Sequence, residues 1–203
     1  KRTYVAQSGL IGLNGPDSSR GGRPLYAVEK TSYTLADAKG VQDQKGQSEK
    51  VLNVPMVFKT PEGVEIIKTF TFTQGQYPIV VRHQVINRSQ QSWQGQMFGQ
   101  LKRDNSEDPG KSSQGIFTLG TFLGGAWGTP DSHYNKLKFA NFSEEKVSTE
   151  AKGGWVAIVQ HYFVSAWIPG NLKLTQANGQ PYVAKLESRQ SADHMNIIGF
   201  TSP

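Results

Sequence analysis

Cysteine is absent from the 203 residues, which excludes disulfide staples, thiolate metal sites and a cysteine nucleophile. Long apolar runs are absent too. A bilayer-crossing helix needs about 20 apolar residues, whereas the stretch from Trp155 to Ile168 has 14, with Gln160 and His161 at its middle. The four histidines show neither HxH nor HExxH spacing, so no metal is expected. No GxSxG motif offers a serine nucleophile. The glycine-rich pieces at 9–15 and 122–128 lack the Lys-Ser/Thr ending of a phosphate loop and read as turn and bulge glycines. No secretory leader is seen, so the chain reads as cytosolic or as a piece excised from something larger. No cofactor is called for.

What is present is mostly strand. Apolar residues alternate in VLNVPMVF at 51–58 and in VEIIKTFTFT at 64–73, and further strand candidates are 77–87, 93–101 and 115–122. Turn signals separate them: Pro61-Glu62-Gly63, Gln74-Gly75, Asn87-Arg88-Ser89, Asp108-Pro109-Gly110 and Asn178-Gly179. At 152–170 (KGGWVAIVQHYFVSAWIPG), β-branched and aromatic residues stand between Gly-Gly and Pro-Gly. That pattern predicts one long strand covered on both faces, burying Trp155, Val159, Phe163 and Trp167. Residues 8–24 and 36–50 are rich in Gly, Ser and charge; the first reads as an irregular loop and the second as a mobile excursion. Helix is expected once, at 130–138, with Thr129 as N-cap and Tyr134, Leu137 and Lys138 at helical spacing. A single domain spanning 1–203, all-β and mostly antiparallel, follows from the length and pattern.

The net charge is +6 and the pI about 9.5, but the basic residues are scattered, their densest groupings being Lys102-Arg103 and Lys136-x-Lys138. Nucleic-acid surfaces cluster Lys and Arg beside stacking aromatics, so nucleic acid is not an expected partner. A diffuse positive surface suits anionic lipid headgroups better. Glu65 or Glu187 beside His83 or His161 are the candidate acid–base pairs, and their spacing does not support catalysis; each of the two histidines has an ordinary reading as a hydrogen-bonded strand residue. His133 and His194 lie in polar, turn-like contexts. The sequons at Asn87 and Asn141 carry little weight in a chain of this size.

Six blocks, YVAQSGLIG (4–12), GRPLYAVEK (22–30), KTFTF (68–72), FGQLKR (98–103), GTPDSHYNKLKF (128–139) and KGGWVAIVQHYFVSAWIP (152–169), together resemble the large periplasmic domain of the YidC membrane-protein insertase family of Gram-negative bacteria. They occur in the family's order over nearly the whole chain. The resemblance implies a β-supersandwich, galactose-mutarotase-like, with one short helix. It places the domain between the first two transmembrane helices, on the periplasmic side of the inner membrane, soluble but tethered. It also implies a chain trimmed at both ends, with family strands before Tyr4 and family strand and helix after Pro203 missing, and a longer insert around 41–50.

The function implied is accessory and non-enzymatic. The groove that receives nascent membrane proteins belongs to the membrane-embedded part of the full-length protein. The periplasmic domain meets partners, SecD–SecF of the Sec translocon, through a region matching 119–168. Within that region the expected contact residues are Trp127, Asp131, Tyr134 and Lys136. The alternative is a carbohydrate-binding or mutarotase-like enzyme module.

Overall fold

Alternation of side chains about an extended backbone lets one face of each strand bury apolar surface, and this chain does so repeatedly. The computed structural model describes residues 2–18, 22–43, 45–106, 122–160, 163–170 and 183–202. Its strands, in chain order, are β1 (Tyr4–Ile11), β2 (Lys39–Gln42), β3 (Ser48–Lys59), β4 (Val64–Thr73), β5 (Ile79–Asn87), β6 (Gln96–Arg103), β7 (Gly124–Gly128), β8 (Asn135–Lys138), β9 (Ser148–Ala151), β10 (Trp155–Gln160), β11 (Phe163–Trp167), β12 (Ala184–Gln190) and β13 (Asn196–Ser202). All strand pairings among them are antiparallel. The all-β, antiparallel expectation therefore holds. The strand candidate at 115–122 and the turns at 108–110 and 178–179 fall almost wholly outside the described residues.

Contacts group the chain into two units, residues 1–15 with 95–203, and residues 16–94. The first unit is a sandwich of a five-stranded sheet ordered β1-β6-β13-β12-β9 and a four-stranded sheet ordered β11-β10-β7-β8. Its core joins Leu101, Leu186, Ile198 and Phe200 of one sheet to Leu137, Val156 and Ile158 of the other. Trp167 locks the layers: its ring packs edge-on against Phe200 at 6.4 Å, and its indole N–H donates to the Gln100 carbonyl at 3.1 Å. Gly99 makes this possible, because a Cβ there would stand 2.5 Å from the Phe200 ring.

The second unit is one sheet ordered β2-β3-β4-β5. Its β3–β4 hairpin turns through Pro61-Glu62-Gly63, where Gly63 has φ +96° and its N–H donates to the Thr60 carbonyl at 3.2 Å. Pro55 sits inside β3 without breaking the sheet. Val57 directs its N–H to Ala27 rather than to β4, so the nitrogen of Pro55, two residues earlier, also faces away from β4, where its missing N–H costs no ladder bond.

Three sequence expectations are corrected. The 155–168 run is not one strand but the hairpin β10–β11, with Val156 opposite Trp167 and Gln160 opposite Phe163; the two residues between the strands, His161 and Tyr162, are not described. Val156, Ala157 and Ile158 are fully buried, so β10 is covered on both faces as expected, whereas Phe163 is 68% exposed. Pairing back on itself moved the second half of the run to a sheet edge. Trp155, Val159 and Trp167 are half-buried.

Residues 130–138 form a turn and β8, not a helix. The cap-like bond from the Ser132 N–H to Thr129 Oγ1 forms at 3.0 Å. Asn135 then bonds to Ser132 and to the Trp127 carbonyl, which fixes the hairpin to β7. Period-two alternation of Lys136, Leu137 and Lys138 prevails over the helical spacing. The described helical pieces are 3-10 turns at Pro16–Ser18, Leu35–Asp37 and Phe139–Asn141.

Finally, the stretches read as loops supply strands: 8–11 complete β1, and 36–50 hold β2 and the start of β3. Asp43 closes that second hairpin by accepting from the backbone N–H groups of Lys45 and Gln47 at 2.8 and 2.7 Å. No helix among the described residues is long and apolar enough to cross a membrane.

This division of the 155–168 run has a measurable consequence. Ile158→Ala should cost about 3 kcal/mol, and Phe163→Ser less than about 1 kcal/mol, by urea unfolding. A single buried strand would make both costly.

Candidate functional site

The outer face of the four-stranded sheet in the sandwich is built from small residues. Along β7, Gly124, Ala126 and Gly128 share this face with Lys136 and Lys138 of β8 and with Trp155 and Ala157 of β10, as the pairings Ala126–Lys136 and Ala126–Ala157 require. Gly128 is obligatory, since a Cβ would fall 2.4 Å from the Trp155 indole nitrogen and 2.3 Å from the His133 carbonyl. The glycine lets the Trp155 ring lie across β7, and Tyr134 rests on that ring with centroids 6.0 Å apart.

A cation sits at the centre of the cluster. The Lys136 ammonium lies 5.2 Å from the Phe122 ring centroid and 5.7 Å from that of Tyr134, a cation–π arrangement that favours the charge without neutralising it. Beside it is an open depression of about 420 Å³ bordered by Phe122, Lys136, Lys138, Asn141 and Glu145. Tyr134 is 57% exposed. The surface therefore presents aromatic area and positive charge on a hydrogen-bonded hairpin, the equipment of a protein contact.

Of the four residues singled out in the sequence, Tyr134 and Lys136 come together here. Asp131 is exposed in the turn leading to them. Trp127 does not join them: it points to the opposite face and packs, half-buried, against the core. Phe122 and Trp155 are additions. Their signal was aromaticity alone, and only strand register could assign them to this face.

Of the candidate acid–base pairs, Glu65 and His83 do not meet. Glu65 is held by Arg88 at 3.0 Å. His83 stands opposite Lys68 on β4, hence on the other side of the sheet from Glu65. Glu187 is bonded to Lys185, and His161 is not described. His133 and His194 are exposed. Among the described residues no three His, Asp or Glu side chains converge as a metal site.

His83 is strongly perturbed. Burial, reinforced by the Lys68 charge, pushes its pKa down to about 4. Neither ring nitrogen has a hydrogen-bond partner in the structure, so the ordinary reading of a bonded strand histidine fails at this position.

The architecture is thus that of an antiparallel sandwich bearing an exposed patch of aromatic and cationic side chains. The chain belongs to the YidC periplasmic domain family, whose model matches residues 1–203. It is 43% identical over 201 residues to the membrane protein insertase YidC of Marinomonas sp. (strain MWYL1), covering 99% of this chain and 32% of that protein. The insertase of Alcanivorax borkumensis is 47% identical over 169 residues, 82% of this chain and 27% of that protein. That of Azotobacter vinelandii is 42% identical over 184 residues, 89% and 31% respectively. The chain therefore spans about a third of the length of the curated relatives it matches.

The depressed pKa of His83 has a stability signature. A base whose folded pKa lies below its unfolded value of about 6.5 contributes stability that is complete above pH 6.5 and is lost as the pH falls toward 4. The full difference is worth about 3 kcal/mol, and the partial burial of the residue reduces it to about 2 kcal/mol. Urea unfolding at pH 7 and pH 4 should show the native chain losing about 2 kcal/mol more than His83→Leu. Equal losses would mean that His83 titrates normally.

Proposed function

We propose that the chain is the periplasmic accessory domain of an inner-membrane protein insertase and acts by binding partners rather than by catalysis. Residues 1–203 serve as one functional domain in this reading. Its contact surface is the β7–β8 hairpin, and its partner is SecD–SecF of the Sec translocon. Nascent membrane proteins are handled by the full-length protein, of which this chain supplies about a third. Membership of the YidC periplasmic family supports the setting.

The observation that carries the reading is the Phe122–Lys136–Tyr134 cluster: an exposed tyrosine and a half-buried phenylalanine around a cation, braced by Trp155. A few aromatic and cationic anchors commonly supply most of the affinity at an interface. Asp131 lies at the rim of the surface, and Trp127 supports it from the core side. Against an enzymatic role stand Glu65 and His83, which face opposite sides of their sheet.

Tyr134 and Lys136 can be changed together to Ala in the full-length insertase. Co-purification with SecD–SecF should fall by about tenfold or more, while the melting temperature of the domain stays within about 2 °C. Unchanged co-purification would move the contact off this hairpin.

A further inference from the structure

The sheet that carries the contact hairpin ends at β8, and among the described residues no strand lies on its far side. In an antiparallel pair, alternate residues send both backbone groups to the neighbour, and the residues between them send theirs away. The Phe139 N–H donates to the Leu123 carbonyl at 3.4 Å, one step beyond the paired Gly124 and Lys138, so Leu137 and Asn135 also face β7 with their backbone groups. The N–H groups of Lys136 and Lys138 and the carbonyl of Lys136 therefore line the open edge. The Lys138 carbonyl stands at the start of the 3-10 turn Phe139–Asn141.

The side chains on this edge are cationic. Lys136 and Lys138, two residues apart, project from one face. Both are exposed, and neither belongs to an ion pair among the described residues. Leu137 between them is 3% exposed and belongs to the core. The depression of about 420 Å³ is bordered by all three residues, so it runs alongside the strand. Glu145, also on its border, is held by the Asn141 side-chain amide at 2.5 Å.

These features select the occupant. A second copy laid antiparallel on β8 about Leu137 would set Lys136 against Lys138 twice, and like charges directly opposite each other destabilise a sheet. A lipid headgroup or small anion would match the ammonium groups and leave the backbone edge unpaired. An extended segment with acidic residues at alternate positions answers both: its backbone pairs with the edge and its carboxylates lie opposite Lys136 and Lys138. The residue between those carboxylates falls beside Leu137, where an apolar side chain fits.

We propose that β8 takes up an acidic–apolar–acidic segment of the partner as an added strand. The inference rests on the reading of this hairpin as the contact surface and names what that surface recognises.

The probe is the blocked peptide acetyl-Thr-Glu-Val-Glu-Val-Glu-Thr-amide, added to the 203-residue chain, with a control in which lysine replaces each glutamate. Amide hydrogen exchange read by NMR reports the added strand directly. At saturation the Lys136 and Lys138 amides should slow by about tenfold or more, while the Leu137 amide, already facing β7, changes little. The lysine peptide should bind more weakly by about tenfold or more. Lys138 has φ −66° and ψ 145°, a conformation that proline adopts unstrained, and its N–H is not given to β7. Lys138→Pro should therefore keep the melting temperature within about 2 °C of the native chain. It should weaken the glutamate peptide about fivefold more than Lys138→Gln, which removes the charge alone. Equal effects of these two substitutions, binding with both edge amides unslowed, or failure to saturate by about 5 mM peptide would overturn the proposal. Slowing of the same amides without peptide as the chain is concentrated would overturn the choice of occupant in favour of a second copy. The two readings fail separately. Slowed amides with co-purification unchanged by the Tyr134 and Lys136 substitutions would keep the strand site and remove SecD–SecF as its partner. Lost co-purification with unslowed amides would keep the surface and remove strand addition.

Discussion

The middle of strand β10 is closed to solvent on both faces, and the rest of the sandwich is arranged around that fact. Val156 and Ile158 project into the core, and Ala157 between them is equally inaccessible on the outer face. A strand covered on both sides requires closely approaching neighbours, and β7 meets the requirement with Gly124, Gly125, Ala126 and Gly128. The near-absence of side chains there lets Phe142 and Ile198 close over Gly125 on the inner face. On the outer face it lets Trp155 lie flat over Gly128 and receive Tyr134. The patch is thus a consequence of how β10 is buried. Its aromatic residues rest on a backbone that cannot move without opening the core.

This explains which parts were legible in the sequence. Alternation over 51–58 and 64–73 identified β3 and β4 because each has one apolar face, and Pro61-Glu62-Gly63 marked the turn by its chemistry. The 155–168 run was misread for the opposite reason. No glycine, proline or asparagine interrupts it, so nothing local announced the reversal between β10 and β11. At 130–138, a cap-like Thr129 and helical spacing were both present, and cross-strand bonding to β7 overrode them. The 36–50 segment looked mobile because its hydrogen bonds are supplied by one carboxylate, Asp43, and by pairing with β3. Tyr134 and Lys136 could be chosen as polar-side residues of a short motif. Phe122 and Trp155 could not, because their membership depends on register across β7, β8 and β10.

The two units place charge in contrasting ways. On the β7–β8 hairpin Lys136 is solvated at the surface and steadied by two rings, so its charge remains available to a partner. On the four-stranded sheet Lys68 and His83 are drawn into an apolar face. Burial lowers the pKa of both, most strongly for His83, where the Lys68 charge adds to the effect. The net charge of +6 spread along the sequence conceals this difference between an exposed cation and a partly desolvated one.

A photo-crosslinking amino acid placed at single positions in the full-length insertase tests the assignment of the contact surface most directly. Position 134 lies on the patch; position 71, on β4, lies on the other unit. Irradiation should give adducts to SecD or SecF from position 134 and none above background from position 71. Adducts from position 71 alone, or from both positions equally, would contradict a partner surface centred on the Phe122–Lys136–Tyr134 cluster.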